Sequence, residues 1–115
     1  MSAVIGEWSG YFTYPDGSKK DFSINIDQSA NNTVFIGTGN ESRGDFNVVA
    51  GQLTTNEGGT TITFAQIYKS IWAGQIWSFR GTLSHDGNIL LGEWYDSPAD
   101  GRDRIGTWKA ERILV

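Results

Sequence analysis

Phe22-Ser23-Ile24-Asn25-Ile26-Asp27 alternates apolar and polar side chains without a break. A period of two belongs to an extended strand with one dry and one wet face, because successive Cβ atoms point to opposite sides of a pleated backbone. The reading extends outward in both directions. Upstream, Glu7 to Tyr14 carries Trp8, Tyr11, Phe12 and Tyr14, and Pro15-Asp16-Gly17 closes it with residues that preset or permit turn dihedrals. Downstream, Val34 to Gly39 and Phe46 to Leu53 form the next pair, joined by the polar loop Asn40-Glu41-Ser42-Arg43-Gly44-Asp45. Asn56-Glu57-Gly58-Gly59 turns the chain into Thr61 to Tyr68, rich in β-branched and aromatic residues. A long sixth strand from Trp72 to Leu83 follows, then the turn His85-Asp86-Gly87-Asn88 and a strand from Ile89 to Tyr95. The loop Ser97-Pro98-Ala99-Asp100-Gly101 leads to a last strand, Arg104 to Ile113. No stretch reads as a helix. Eight short strands separated by turn signals predict an all-β fold: a single eight-stranded antiparallel up-and-down β-barrel, whose last strand pairs with its first and leaves no edge exposed.

The 115 residues suit one β-barrel domain spanning 1–115 and leave no room for a second core. With 38% hydrophobic and 13% aromatic residues, five of them Trp, the chain has enough apolar surface to offset the entropy of folding. Thirteen acidic against nine basic side chains leave a formal charge of −4, and the basic residues are scattered, which excludes a nucleic-acid partner at the level of charge. The absence of cysteine removes disulfides, thiolate nucleophiles and thiolate metal ligands. No apolar run approaches the roughly 20 residues that a membrane helix requires, so no membrane partner is expected. Met1-Ser2-Ala3-Val4-Ile5 lacks the charged segment and apolar run of a secretory signal, which places the protein in the cytoplasm, or outside the cell if a leader has been removed.

Gly6-Glu7-Trp8 recurs as Gly92-Glu93-Trp94, with Gly106-Thr107-Trp108 as a looser third copy. Gly followed two places on by a large aromatic is a packing device of small barrels. Glycines inside strands at Gly37, Gly39 and Gly51 suit the sharp coiling that a small barrel demands.

On Gly6-Glu7-Trp8 and Trp72-Ala73-Gly74-Gln75 the chain resembles the avidin and streptavidin group of calycin-type barrels, which open with Gly-Thr-Trp and carry Trp-Ser-Gly-Gln in strand six. Strand order, turn placement and length match over nearly the whole chain. The resemblance implies the fold, together with a ligand held at the barrel mouth by polar groups and a cage of Trp residues, for which Trp72 and Trp94 are the candidates. It does not extend to tight biotin binding. Ser9 and Gly10 stand where the family places its ureido-binding Asn, and Gly106-Thr107-Trp108 occupies the region of the family's strand-eight Asp.

His85, the only histidine, falls in a turn where a solvent-facing polar residue is expected, and without a second histidine it makes no metal trio. Asp96, Asp100 and Asp103 read as a solvated loop rather than a carboxylate metal site, so neither metal nor cofactor is expected. Arg43-Gly44-Asp45 matches an integrin-binding tripeptide in a loop, a match short enough for chance, and Asn31-Asn32-Thr33 and Asn40-Glu41-Ser42 fit the glycosylation pattern. Glu93 matters more. Under strict alternation it shares a face with Ile89, Leu91 and Tyr95, and is either an inward, desolvated acid or the polar end of an outward stripe, the second being the expectation because acids are seldom buried unpaired. Arg80 and Gln66 raise the same question, and Arg80 is placed to pair with Glu93 across neighbouring strands.

The aromatic residues are the main functional clue, since aromatic walls bind flat or apolar ligands. These observations point to a small-molecule-binding barrel that takes an apolar or cyclic ligand at its mouth, with Tyr11, Trp72, Trp77 and Trp94 as walls and Glu93 and Tyr95 beside them. Two other readings compete. One is a barrel enzyme of the isomerase or cyclase type moving a proton with Glu93 or Tyr95; the other is an interaction module whose interior is filled. Aromatic residues on the outer face would favour a homo-oligomer.

Overall fold

The computed structural model describes residues 4–29, 33–42, 44–69, 76–96 and 104–113. They form eight strands: β1 (Gly6–Thr13), β2 (Lys19–Ser29), β3 (Val34–Glu41), β4 (Gly44–Asn56), β5 (Gly59–Tyr68), β6 (Ile76–Leu83), β7 (Ile89–Asp96) and β8 (Arg104–Arg112). Each strand pairs antiparallel with the next, and β8 pairs with β1 through Trp8 opposite Arg112 and Phe12 opposite Trp108, so the barrel is closed. No described helix is long and apolar enough to cross a membrane. We call the end that carries the β1–β2 turn the upper end, and the end that carries the β6–β7 turn the lower.

Several strands run further than their side chains suggest. Lys19, Lys20 and Asp21 belong to β2 because they face Thr13, Phe12 and Tyr11 in register. The loop expected from Asn40 to Asp45 is shorter than its sequence suggests, since Asn40 pairs with Asp45 and Glu41 with Gly44. Cross-strand hydrogen bonds come from the backbone and are indifferent to a polar sequence. Gly44 and Asp45 of the integrin-like tripeptide therefore lie in β4 rather than in a loop, while Arg43 is outside the described residues. Of the sixth strand Ile76–Leu83 is described, and the expected start at Trp72 lies outside the described residues.

Alternation fills the interior. Phe22, Ile24 and Ile26 are buried and their neighbours Ser23, Asn25 and Asp27 exposed, as the period of two requires. The core continues around the barrel with Trp8, Phe12, Phe35, Phe46, Ile62, Phe64, Trp77, Phe79, Leu90, Trp94 and Trp108. A cylinder this narrow needs places where backbones touch, and glycine supplies them: a Cβ at Gly92 would overlap the carbonyl oxygen of Arg80 on β6, and one at Gly10 that of Lys109 on β8. Register shifts between Ile26 and Gln28, Phe35 and Gly37, and Val49 and Gln52 bend β2 to β4 around the core. At the last of these Ala50 takes φ 55°, the left-handed region that costs an alanine about 1–2 kcal/mol.

Candidate functional site

The three Gly-x-Trp segments prove to be one device used three times. Each places its Trp inside the barrel and gives the indole N–H a backbone carbonyl: Trp8 Nε1 donates to Val4 at 3.0 Å, Trp94 to Thr13 at 2.7 Å and Trp108 to Arg80 at 3.1 Å. All three rings are at most 1% exposed. These Trp residues are fixed parts of the wall.

The lower end is closed around the first of them. The Arg112 guanidinium lies 4.4 Å from the Trp8 ring centroid and donates from Nη1 to the Ile5 carbonyl at 2.7 Å. Its Nε and Nη2 both reach the Gly87 carbonyl, at 3.1 and 3.0 Å. Burial pushes the Arg112 pKa below its ordinary value, and the three hydrogen bonds and the ring face replace the lost water.

The upper half of the interior is built differently. Trp77 and Trp94 stack with centroids 5.2 Å apart and planes 15° from parallel. Tyr14 stands edge-on to both, 5.2 Å from Trp94 and 6.4 Å from Trp77, and Tyr68 meets Trp77 at 5.6 Å. Among these rings sits Gln66, directly opposite Trp77 in the β5–β6 register and two residues below Tyr68 on β5. Gln66 is 0% exposed, and among the described residues neither its Oε1 nor its Nε2 has a hydrogen-bond partner. Each such atom costs about 1–3 kcal/mol relative to a paired one. The Tyr14 and Tyr68 hydroxyls and the Trp77 indole nitrogen are buried in the same region. Glu41, 9% exposed, continues the inward row of Phe35, Gly37 and Gly39 at the upper rim.

The residues proposed from sequence thus separate into two groups. Trp77 and Trp94 come together inside, and Trp72 lies outside the described residues. Glu93, Tyr95 and Tyr11 are on the outer surface. Glu93 is half-exposed and pairs with Arg80 at 3.5 Å; Arg80 Nη2 donates to the Tyr95 hydroxyl at 2.6 Å, and that hydroxyl donates to Glu93 Oε2 at 3.1 Å. Strand pairing explains the cluster: Arg80 faces Glu93 across β6 and β7, with Gly92 and Trp94 occupying the interior positions on either side. The expected outward stripe and the Arg80–Glu93 pair are both present, and the inward acid needed by an isomerase or cyclase using Glu93 or Tyr95 is not. An exposed pair of this kind contributes about 0–1 kcal/mol.

Tyr11 carries Lys19 Nζ at 4.6 Å from its ring and lines an outer groove of about 740 Å³ that crosses β8, β1, β2 and β3. His85 is exposed in the β6–β7 turn, as expected. Glu41, Tyr14 and Tyr68 escaped the sequence reading. The signal for Tyr68 was available, because alternation through Ile62, Phe64 and Gln66 puts it on the buried face; Glu41 was hidden by its polar neighbours.

No protein-family model matches the chain, and no curated protein matches it significantly. The fold is similar to two solved barrels. One is a redesigned β-barrel, b11L5F_LGL, at TM-score 0.69 and 15% identity over 97% of this chain and 93% of the other. The second is EF1p2_mFAP2b bound to DFHBI, at TM-score 0.68 and 15% identity over 96% and 94%. These likenesses establish an antiparallel up-and-down β-barrel, and nothing in them is particular to the avidin group.

Proposed function

We propose that this protein binds a small, planar, largely apolar molecule in the upper half of its barrel, against Trp77, Tyr68, Tyr14 and Gln66. One observation carries the reading: in the upper half of the interior, beside Trp77, Gln66 is fully buried and neither of its amide atoms has a partner among the described residues. A barrel selected only for stability gains from an apolar residue at this position. Aromatic faces supply contact area for a flat molecule and the polar tips fix its orientation. The similar barrel solved with DFHBI bound supports a small-molecule role for this architecture. Avidin-like biotin binding forms no part of the proposal, because Ser9 is exposed on the outer face and Gly10 has no side chain.

The test is calorimetric titration with DFHBI and with 2-quinolinone. At least one should bind saturably with a single site. Trp77→Leu and Trp77→Phe, each checked for a native circular dichroism spectrum, should weaken binding about tenfold or more through lost stacking. Glu93→Gln and Tyr95→Phe on the outer face should leave it unchanged. Absence of saturable binding, or weakening by the outer variants instead, would overturn the reading.

A further inference from the structure

We propose that Gln66 determines which ligand the upper half of the barrel accepts, and that it selects a neutral molecule presenting a hydrogen-bond donor beside an acceptor, as a cis-lactam does. The inference rests on the binding role proposed above and goes beyond it by assigning the ligand's chemistry.

Gln66 is the exception in its row. Ile62, Phe64 and Tyr68 share its inward face on β5, and Thr61 and Thr63 take the outward one, so the backbone leaves the amide no route to solvent. A carboxamide has one strong acceptor and one strong donor on the same planar edge. Both atoms are buried and neither is paired among the described residues. The group that satisfies both at once has the reverse order on its own edge: an N–H for Oε1 and a carbonyl for Nε2, giving two parallel hydrogen bonds. A carboxylate or ammonium would satisfy only one of the two and would bring into this ring-lined interior a charge that the neutral amide cannot balance. The partner is therefore neutral. Stacking against Trp77, which faces Gln66 across the β5–β6 pair, requires the lactam to belong to a flat ring system.

A polar site that loses one hydrogen bond discriminates strongly, because its own buried group is left unpaired. The experiment compares 2-quinolinone with N-methyl-2-quinolinone, which keeps the plane and carbonyl but lacks the donor, on the wild-type protein and on Gln66→Leu. Wild type should bind 2-quinolinone about tenfold or more tightly than its N-methyl counterpart, and Gln66→Leu should bring the two within about twofold. The lactam N–H proton of bound 2-quinolinone should lie downfield in the complex with the wild-type protein and lose that shift in the complex with Gln66→Leu. Equal wild-type affinities, a preference that survives Gln66→Leu, or binding of DFHBI but of neither quinolinone would overturn the assignment while leaving the proposed binding role in place. Failure of all three compounds would remove both.

Discussion

The two ends of this barrel solve the problem of a buried polar group in opposite ways. At the lower end Arg112 enters the interior with its requirements met: the Trp8 face on one side, the Ile5 and Gly87 carbonyls on the other. At the upper end Gln66 is fully buried, deeper than the half-buried Arg112, yet its amide has no protein partner among the described residues. Satisfied polar groups fix a structure, whereas an unsatisfied one is a standing cost that selection for folding alone removes. The contrast separates the half of the molecule whose buried cation is met by the protein itself from the half in which ligand binding is proposed.

Breaking the lower end should have the largest effect. Arg112→Ala strips hydrogen bonds from the Ile5 and Gly87 carbonyls and uncovers Trp8, and is expected to cost about 3 kcal/mol, a fall in Tm of roughly 10–15 °C by calorimetry. Arg112→Lys should recover only part of this, since a point charge cannot reproduce the planar fork. Binding measured well below the melting range should be unaffected by either.

A smaller effect of opposite sign is expected between the ends. Ala50 holds φ 55° at the β4 bulge, on the outer face. Ala50→Gly removes the left-handed penalty and should stabilise by up to about 1 kcal/mol, less the extra freedom glycine gains in the unfolded chain. Chemical denaturation should show the gain with no change in ligand affinity, sharpening the claim that closure and binding are separate.

The smallest effect should be the same at both ends. Asp16 in the upper β1–β2 turn and Asp86 in the lower β6–β7 turn each accept from a serine side chain, Ser18 and Ser84, and these bonds lower both pKa values below 3.8. A lowered folded-state pKa adds stability that is present above pH 3.8 and is lost as the pH falls through the folded value. Asp16→Ala and Asp86→Ala should each flatten the acid limb of the stability curve slightly and to a similar degree. A markedly larger effect at one turn would mean that the ends differ in more than their interiors.

Much of this architecture could be read from the residues. Phe22-Ser23-Ile24-Asn25-Ile26-Asp27 shows its two faces directly, and the turns around Gly17, Gly58 and Gly87 mark hairpins. Strand ends were less legible at Lys19–Asp21 and Asn40–Asp45, where backbone pairing extends the ladder through polar residues. The same cause concealed Glu41. The outward direction of Glu93 follows from its place between Gly92 and Trp94, but only once Trp94 is known to face inward. The aromatic residues were legible as clues and not as roles: Tyr11 lies outside, and Trp94 is tied to Thr13. Gln66 stood out as a polar residue in an apolar row, but its lack of a partner depends on β5 meeting β6 and cannot be seen in one strand.

The central claim is that Gln66 is retained at the expense of stability. Thermal unfolding of Gln66→Leu measures this directly: replacing an unpaired buried amide by an apolar side chain of similar size should raise stability by about 1–3 kcal/mol, several degrees in Tm. An unchanged or lowered Tm would show that the amide is already satisfied in the free protein, and the contrast between the two ends would not hold.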